Sequence, residues 1–97
     1  MAEYKIPYKY EKRLFLDEEI STLPDFTVLN VRKRKILYWE HFGMMDDLNY
    51  SENALKKIDL YSANGFFPGN NLIYTFESKE KPLNTEVIEK TIKTYLL

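Results

Sequence analysis

Cysteine is absent from the 97 residues, and histidine occurs once. Without cysteine the chain has no disulfide framework, thiolate zinc site or cysteine nucleophile. A single histidine excludes a histidine-rich metal cage. No apolar run is long enough to span a membrane, and the charged residues among 1–20 are atypical of a signal peptide. We therefore expect a cytoplasmic protein that does not enter a membrane.

An excess of positive charge is also missing, since the net charge is −1. Any binding of nucleic acid must then come from local basic groups or from a bound cation. The 44% hydrophobic fraction, with eight Tyr and six Phe, is sufficient for one packed core. We expect residues 1–97 to form a single domain, either complete or as a fragment of a longer parent chain.

Three strands are predicted in the first half of the chain: 4–16 from its alternation of apolar and charged residues, 25–31 from its β-branched residues, and 36–42 from its apolar run. The third is apolar on both faces, which is typical of a strand covered from both sides. The link between the second and third strands is short enough for a hairpin. Its tip is the basic tetrad Arg32, Lys33, Arg34 and Lys35.

The periodicity then changes to that of a helix. Asn49 and Glu52 have the spacing of a capping box and predict a helix that ends at Asn64. Residues 72–76 read as a fourth strand, and a second helix begins near Asn84. The order strand, strand, strand, helix, strand, helix predicts an α/β fold in which an antiparallel meander precedes the helices.

Asp25 and Glu40 lie at the far ends of the predicted hairpin strands. A loop of two or four residues centred on the tetrad sets Asp25 opposite Phe42 and Thr27 opposite Glu40. The two carboxylates then share a face, with backbones about 7–8 Å apart. A loop of three or five residues would send them to opposite faces.

Glu40 has apolar neighbours on its own face, so its negative charge needs compensation. A salt bridge, a solvated strand end and a divalent cation are the three alternatives. Asp25 on the same face makes the cation as plausible as the other two. Mg²⁺ or Mn²⁺ held by carboxylates can activate water and stabilise charge on a phosphoryl oxygen.

Two segments carry a family resemblance: Leu-Pro-Asp-Phe-Thr-Val-Leu at 23–29 and Tyr-Trp-Glu-His-Phe-Gly-Met-Met-Asp at 38–46. Together they resemble the PD-(D/E)XK nuclease superfamily, and in particular C-terminal domains of uncharacterised bacterial proteins. The resemblance covers residues 6–97. It implies a restriction-endonuclease-like core (βββαβα here) and divalent-metal-dependent hydrolysis of DNA phosphodiester bonds.

The resemblance also assigns roles to residues. It implies that Asp25 and Glu40 are metal ligands and that the backbone carbonyl of His41 is a further oxygen donor. Two departures stand against activity: Phe42 occupies the position of the superfamily's motif lysine, and the helix that precedes the first core strand is missing. An inactive module that binds nucleic acid or a protein partner is therefore the alternative function.

Lys57 offers a replacement for the missing lysine. It follows Tyr50 and Ala54 and precedes Tyr61 on one helical stripe that should face the core. One interpretation is a packed stem whose ammonium group reaches water. The other is a catalytic cation that orients the attacking water or neutralises phosphate charge.

The basic tetrad also allows two interpretations. Its side chains could contact phosphates of DNA from the hairpin tip. They could equally form a charged turn that protects a sheet edge from aggregation.

Overall fold

The computed structural model describes residues 5–97 and contains two β-sheets and two helices. The elements are β1 (Tyr8–Tyr10), β2 (Leu14–Phe15), β3 (Ser21–Thr22), β4 (Phe26–Asn30), β5 (Lys35–Phe42), α1 (Leu48–Ala63), β6 (Leu72–Phe76) and α2 (Thr85–Tyr95). The mixed α/β class predicted from the sequence is confirmed. Across residues 5–97, none of the helices has the length and apolar character needed to cross a bilayer.

The larger sheet has the strand order β1-β4-β5-β6. The first three strands are antiparallel neighbours, whereas β6 runs parallel to β5. A parallel return needs a crossover connection, which α1 provides. β5 is therefore central, and this position explains why its sequence is nearly apolar throughout.

The two faces of β5 pack against different residues. Leu37 and Trp39 belong to a buried cluster that also contains Ile92 and Leu96 at the C-terminal end of the chain. Glu40, which points to the opposite face, contacts α1 through the hydroxyl group of Tyr61. The apolar stripe predicted for α2 is confirmed, because Ile88 and Tyr95 also pack on the same cluster.

Both helices begin at a side-chain cap. Asp47 caps α1 by accepting a hydrogen bond from the Tyr50 N–H at 2.9 Å, so the capping box predicted at Asn49 is wrong. Asn49 instead lies within the first turn. Asn84 caps α2 as predicted, and Asn64 ends α1 as predicted.

The single first strand predicted at 4–16 is also wrong. Glu11 has a left-handed backbone with φ 49°, which ends the pairing of β1 with β4. The chain then forms β2 and β3, which pair only with each other in a small two-stranded sheet. Tyr4, at the start of the predicted strand, lies outside the described residues.

The hairpin register differs from the predicted one by two residues. Asn30 pairs with Lys35 and Thr27 with Tyr38, so Thr27 does not face Glu40 and Asp25 does not face Phe42. The turn begins one residue earlier than predicted, at 31–34, because the Asn30 side chain accepts the Lys33 N–H at 3.0 Å. A shift of two residues keeps every side chain on its face.

Candidate functional site

Asp25 and Glu40 meet where β4 begins, beside the last residues of β5. The Asp25 N–H donates to Oε1 of Glu40 at 3.3 Å, and the His41 N–H donates to Oδ2 of Asp25 at 2.6 Å. Both carboxylates line one cavity of about 200 Å³, whose other lining residues come from β5 and α1: His41, Phe42, Tyr50, Asn53, Ala54 and Lys57. The structure thus brings together the two acidic residues that the sequence paired.

Glu40 is buried, with 2% of the residue exposed. Its Oε2 accepts a hydrogen bond from the Tyr61 hydroxyl at 2.8 Å and pairs with the ammonium group of Lys57. Burial raises the pKa of the Glu40 carboxyl, while Lys57 and Tyr61 act in the opposite direction. The charge compensation expected for Glu40 is therefore an ion pair and hydrogen bonds.

Lys57 lies on the inward stripe of α1. Ala54 and Tyr61, on the same stripe, are 4% and 0% exposed, whereas Lys56 is exposed. The Lys57 side chain keeps 30% exposure, and its ammonium group also donates to the Leu23 carbonyl at 3.2 Å. The structure therefore places this cation at the carboxylate pair and at the edge of solvent.

Two tyrosines of α1 that the sequence assigned only to the core also act on the site. Tyr61 donates to Glu40, and burial together with the Glu40 charge raises the Tyr61 pKa, which keeps its hydroxyl protonated. The Tyr50 hydroxyl accepts the Gly43 N–H at 3.0 Å and so fixes the end of β5. A buried tyrosine hydroxyl usually has a hydrogen-bond partner, and this rule could have predicted a polar contact for both residues.

The side chain of His41 points away from Glu40. Its Nδ1 lies 2.8 Å from the Thr75 hydroxyl and its Nε2 lies 3.0 Å from Glu77, whose pKa is lowered by the hydrogen bond with His41. Its backbone N–H points toward Asp25. Because the N–H and C=O of a strand residue point the same way, the His41 carbonyl also faces the Asp25 side of β5.

One curated relative resembles this chain. The uncharacterized protein MJ1519 of Methanocaldococcus jannaschii is 33% identical over 103 aligned residues, which include 91% of this chain. The chain spans 8% of the length of that archaeal protein. No protein-family model matches the sequence, and no solved structure matches the chain.

The carboxylate and carbonyl groups beside the cavity are oxygen donors. Asp25, Glu40 and the His41 carbonyl supply oxygen, which Mg²⁺ and Mn²⁺ prefer, rather than the nitrogen and sulfur typical of zinc sites. Within residues 5–97, no three or more Asp, Glu, His or Cys side chains form a metal-holding group. Water would complete the shell, and about 200 Å³ holds several waters at roughly 30 Å³ each.

The basic tetrad does not join this cavity. Arg32, Lys33 and Arg34 lie in the turn and Lys35 begins β5, where its ammonium group donates to Asn70 at 3.0 Å. β4 separates the turn from Asp25 by roughly 17 Å, at about 3.4 Å per residue. Any phosphate that the tetrad contacts is therefore several nucleotides from the carboxylates.

Proposed function

We propose that this chain is a divalent-metal-dependent nuclease domain of the PD-(D/E)XK type that hydrolyses phosphodiester bonds of DNA. Asp25 and Glu40 are its metal ligands together with the His41 carbonyl, and Lys57 is its catalytic cation. One observation carries the proposal: Lys57 reaches Glu40 from α1, inside the cavity that Asp25 also lines.

The topology supports a restriction-endonuclease-like core. The meander β1-β4-β5, followed by α1 and a strand parallel to β5, has the order that the superfamily uses. The proposed ligands lie just before the start of β4 and near the end of β5, where two adjacent strands and a helix converge on one pocket. Such a position allows rigid elements to hold the reacting groups.

Each side chain has a role that its contacts support. The Asp25 carboxylate is held by the His41 N–H, and the Glu40 carboxylate is held by Tyr61. When bound, Mg²⁺ would supply Lewis acidity toward a phosphoryl oxygen and an attacking water. The Lys57 ammonium group, already desolvated on one side, would orient the water or neutralise charge that develops on the phosphate.

A second function is an inactive nuclease-fold module that binds nucleic acid or a protein partner. It is favoured by the hydrogen bonds and the ion pair that Glu40 already makes within the chain. Both of its oxygens contact donors of the chain itself: Asp25 at one, and Tyr61 and Lys57 at the other. Phe42, where the superfamily carries lysine, is 5% exposed and stacks on Phe76 with ring centroids 5.4 Å apart. A metal would have to displace Lys57 from part of its contact.

Metal titration and DNA cleavage separate the two functions. Wild-type protein should bind Mn²⁺ or Mg²⁺ in calorimetry and cleave DNA only when the metal is present. Asp25→Asn, which keeps an acceptor for the His41 N–H, should lose metal binding and cleavage together. Lys57→Ala should lose cleavage while it retains metal binding.

Asp59→Asn is the matched control, because Asp59 is an exposed acidic residue on α1 away from the cavity. It should bind metal and cleave DNA like the wild type. Cleavage that survives in Asp25→Asn would refute the proposed mechanism. Wild-type protein that binds no metal but does bind DNA would establish the inactive module instead.

A further inference from the structure

A groove without acidic side chains adjoins the candidate site. We name it the β1–β4 groove; it has a volume of about 230 Å³ and is lined by Pro7, Tyr8, Lys9, Lys12, Thr27, Val28, Leu29 and Ile36. Its charged lining residues are Lys9 and Lys12, and both are exposed. The lining therefore carries two positive charges among uncharged residues, and the exposed Glu11, which lies between the two lysines in the chain, is not part of it.

The β1–β4 groove lies on the same face of the sheet as the carboxylate cavity, although the two share no lining residue. Asp25, Thr27 and Leu29 occupy alternate positions at β4, about 7 Å apart, so they project to the same side. Thr27 pairs with Lys9 on β1 and with Tyr38 on β5. The groove therefore begins at Thr27, roughly 7 Å from Asp25, and reaches Leu29, roughly 14 Å from Asp25.

This part of the sheet is open to solvent. Ile36 is 51% exposed, and Lys9 is also exposed. Within residues 5–97, the buried Oγ1 of Thr27 has no hydrogen-bond partner. A second cavity, of about 500 Å³, shares Leu29 with the groove and has Lys5 and Arg32 as its charged lining residues.

We infer that the β1–β4 groove binds the sugar–phosphate backbone of a nucleic-acid strand, with Lys9 and Lys12 contacting phosphates next to the cleaved bond. The inference rests on the proposed function and names where its substrate lies. Thr27 and Leu29 lie roughly 7 Å and 14 Å from Asp25, so phosphates bound along this face are within a few nucleotides of the carboxylates. Backbone contacts of this kind hold the strand without reading its sequence.

Fluorescence anisotropy tests the inference on the full chain, with EDTA present so that no strand is cut. The probes are labelled single-stranded DNA, duplex DNA and RNA of one sequence, titrated at about 50 to 200 mM salt. The double variant Lys9→Gln/Lys12→Gln should bind about ten-fold more weakly, and the slope of log affinity against log salt should fall by about 1.5 to 2. The probe that binds most tightly identifies the nucleic acid.

The matched control is Lys90→Gln/Lys93→Gln, which removes the same charge from α2. Lys90 forms an exposed pair with Glu86, and Lys93 is exposed. This control should bind all three probes like the wild type. Equal weakening in both double variants, or in neither, would overturn the inference.

The outcome is independent of cleavage. If Lys9→Gln/Lys12→Gln weakens binding but the wild type never cuts DNA, binding by the β1–β4 groove is supported and the proposed nuclease function is refuted. If the wild type cuts DNA and the double variant binds normally, the function stands and the groove fails. Wild-type protein that binds none of the probes would overturn the inference and leave the groove to a protein partner.

Discussion

Lys57 and Tyr61 lie one turn apart on α1 and contact the same carboxylate oxygen of Glu40. One of these groups is a cation at the edge of solvent, and the other is a neutral hydroxyl with no exposed surface. Because they share one acceptor, they can be removed one at a time. We expect loss of the Lys57 ammonium group to affect mainly catalysis and loss of the Tyr61 hydroxyl to affect mainly stability.

Lys57→Met should lower the rate of metal-dependent DNA cleavage by about 10²- to 10³-fold, the usual cost of losing one preorganised electrostatic contact. Methionine retains an unbranched apolar stem, so packing along α1 should change little. Lys56→Met is the control, because Lys56 is adjacent and exposed. Initial rates of DNA cleavage at saturating Mn²⁺ provide the measurement, and equal rates for the two variants would contradict a catalytic role for Lys57.

Tyr61→Phe should lower the free energy of unfolding by about 1–3 kcal/mol, because a buried charged acceptor loses a hydrogen bond while the ring remains. Tyr74→Phe is a matched control. Burial, followed by the Glu40 charge, raises the pKa of Tyr74 to about 12, and its buried hydroxyl has no partner within residues 5–97. Its removal should be neutral or stabilising. Urea unfolding of both variants tests the contrast, which disappears if Tyr61 serves only to pack.

The pH dependence of stability should change in Glu40→Gln. The folded-state pKa of Glu40 is raised above 4.5, chiefly by burial, so folding favours the protonated form. That contribution to stability is fully present below pH 4.5 and is lost as the pH rises through the folded-state pKa. Glutamine does not titrate, so the stability of the variant relative to wild type should increase as the pH rises from 4.5 through the folded-state pKa of Glu40.

Glu77→Gln provides the opposite sign. The pKa of Glu77 is lowered, first by its hydrogen bond with His41, so its contribution is present above pH 4.5 and is lost as the pH falls. Urea unfolding should therefore be measured from below to above pH 4.5. As the pH rises, the stability of Glu40→Gln relative to wild type should increase, and that of Glu77→Gln should decrease. Parallel curves for wild type and Glu40→Gln would contradict the raised pKa.

Arg34→Gly should stabilise the protein by about 0.5–1 kcal/mol. Arg34 has φ 51°, a left-handed conformation that costs an L-residue more than glycine loses in chain entropy. Arg32→Gly, in the same turn, is the control: Arg32 is not among the residues with positive φ, so its replacement should be neutral or destabilising. Thermal unfolding of both variants measures the difference.

The sequence predicted several elements well because their signals are local. The strand at 72–76 and the cap at Asn84 match the structure, since side-chain periodicity and one capping side chain suffice to define them. The cap of α1 was misplaced by two residues because Asp47 and Asn49 are both good capping residues. The end of β1 at Glu11 could not be predicted, because glutamate rarely adopts a left-handed backbone conformation and no sequence pattern indicates it.

The shared face of Asp25 and Glu40 was predicted correctly even though the predicted register of the hairpin was wrong. The assumed register was wrong by two residues, yet an even shift leaves both carboxylates on their original face. The hairpin turn that sets the register depends on the side chain of Asn30, which accepts the Lys33 N–H, and alternation of apolar and polar residues does not predict that contact.

By itself the sequence determined the α/β class, the order of most elements and the shared face of Asp25 and Glu40, because these follow from period, turn chemistry and parity. Tertiary structure alone decided that Lys57 and Tyr61 converge on one oxygen of Glu40 and that Lys9 and Lys12 border a groove beside it. Both arrangements join residues distant in the chain: the first depends on how α1 crosses from β5 to β6, and the second on the pairing of β1 with β4. No local pattern records that crossing.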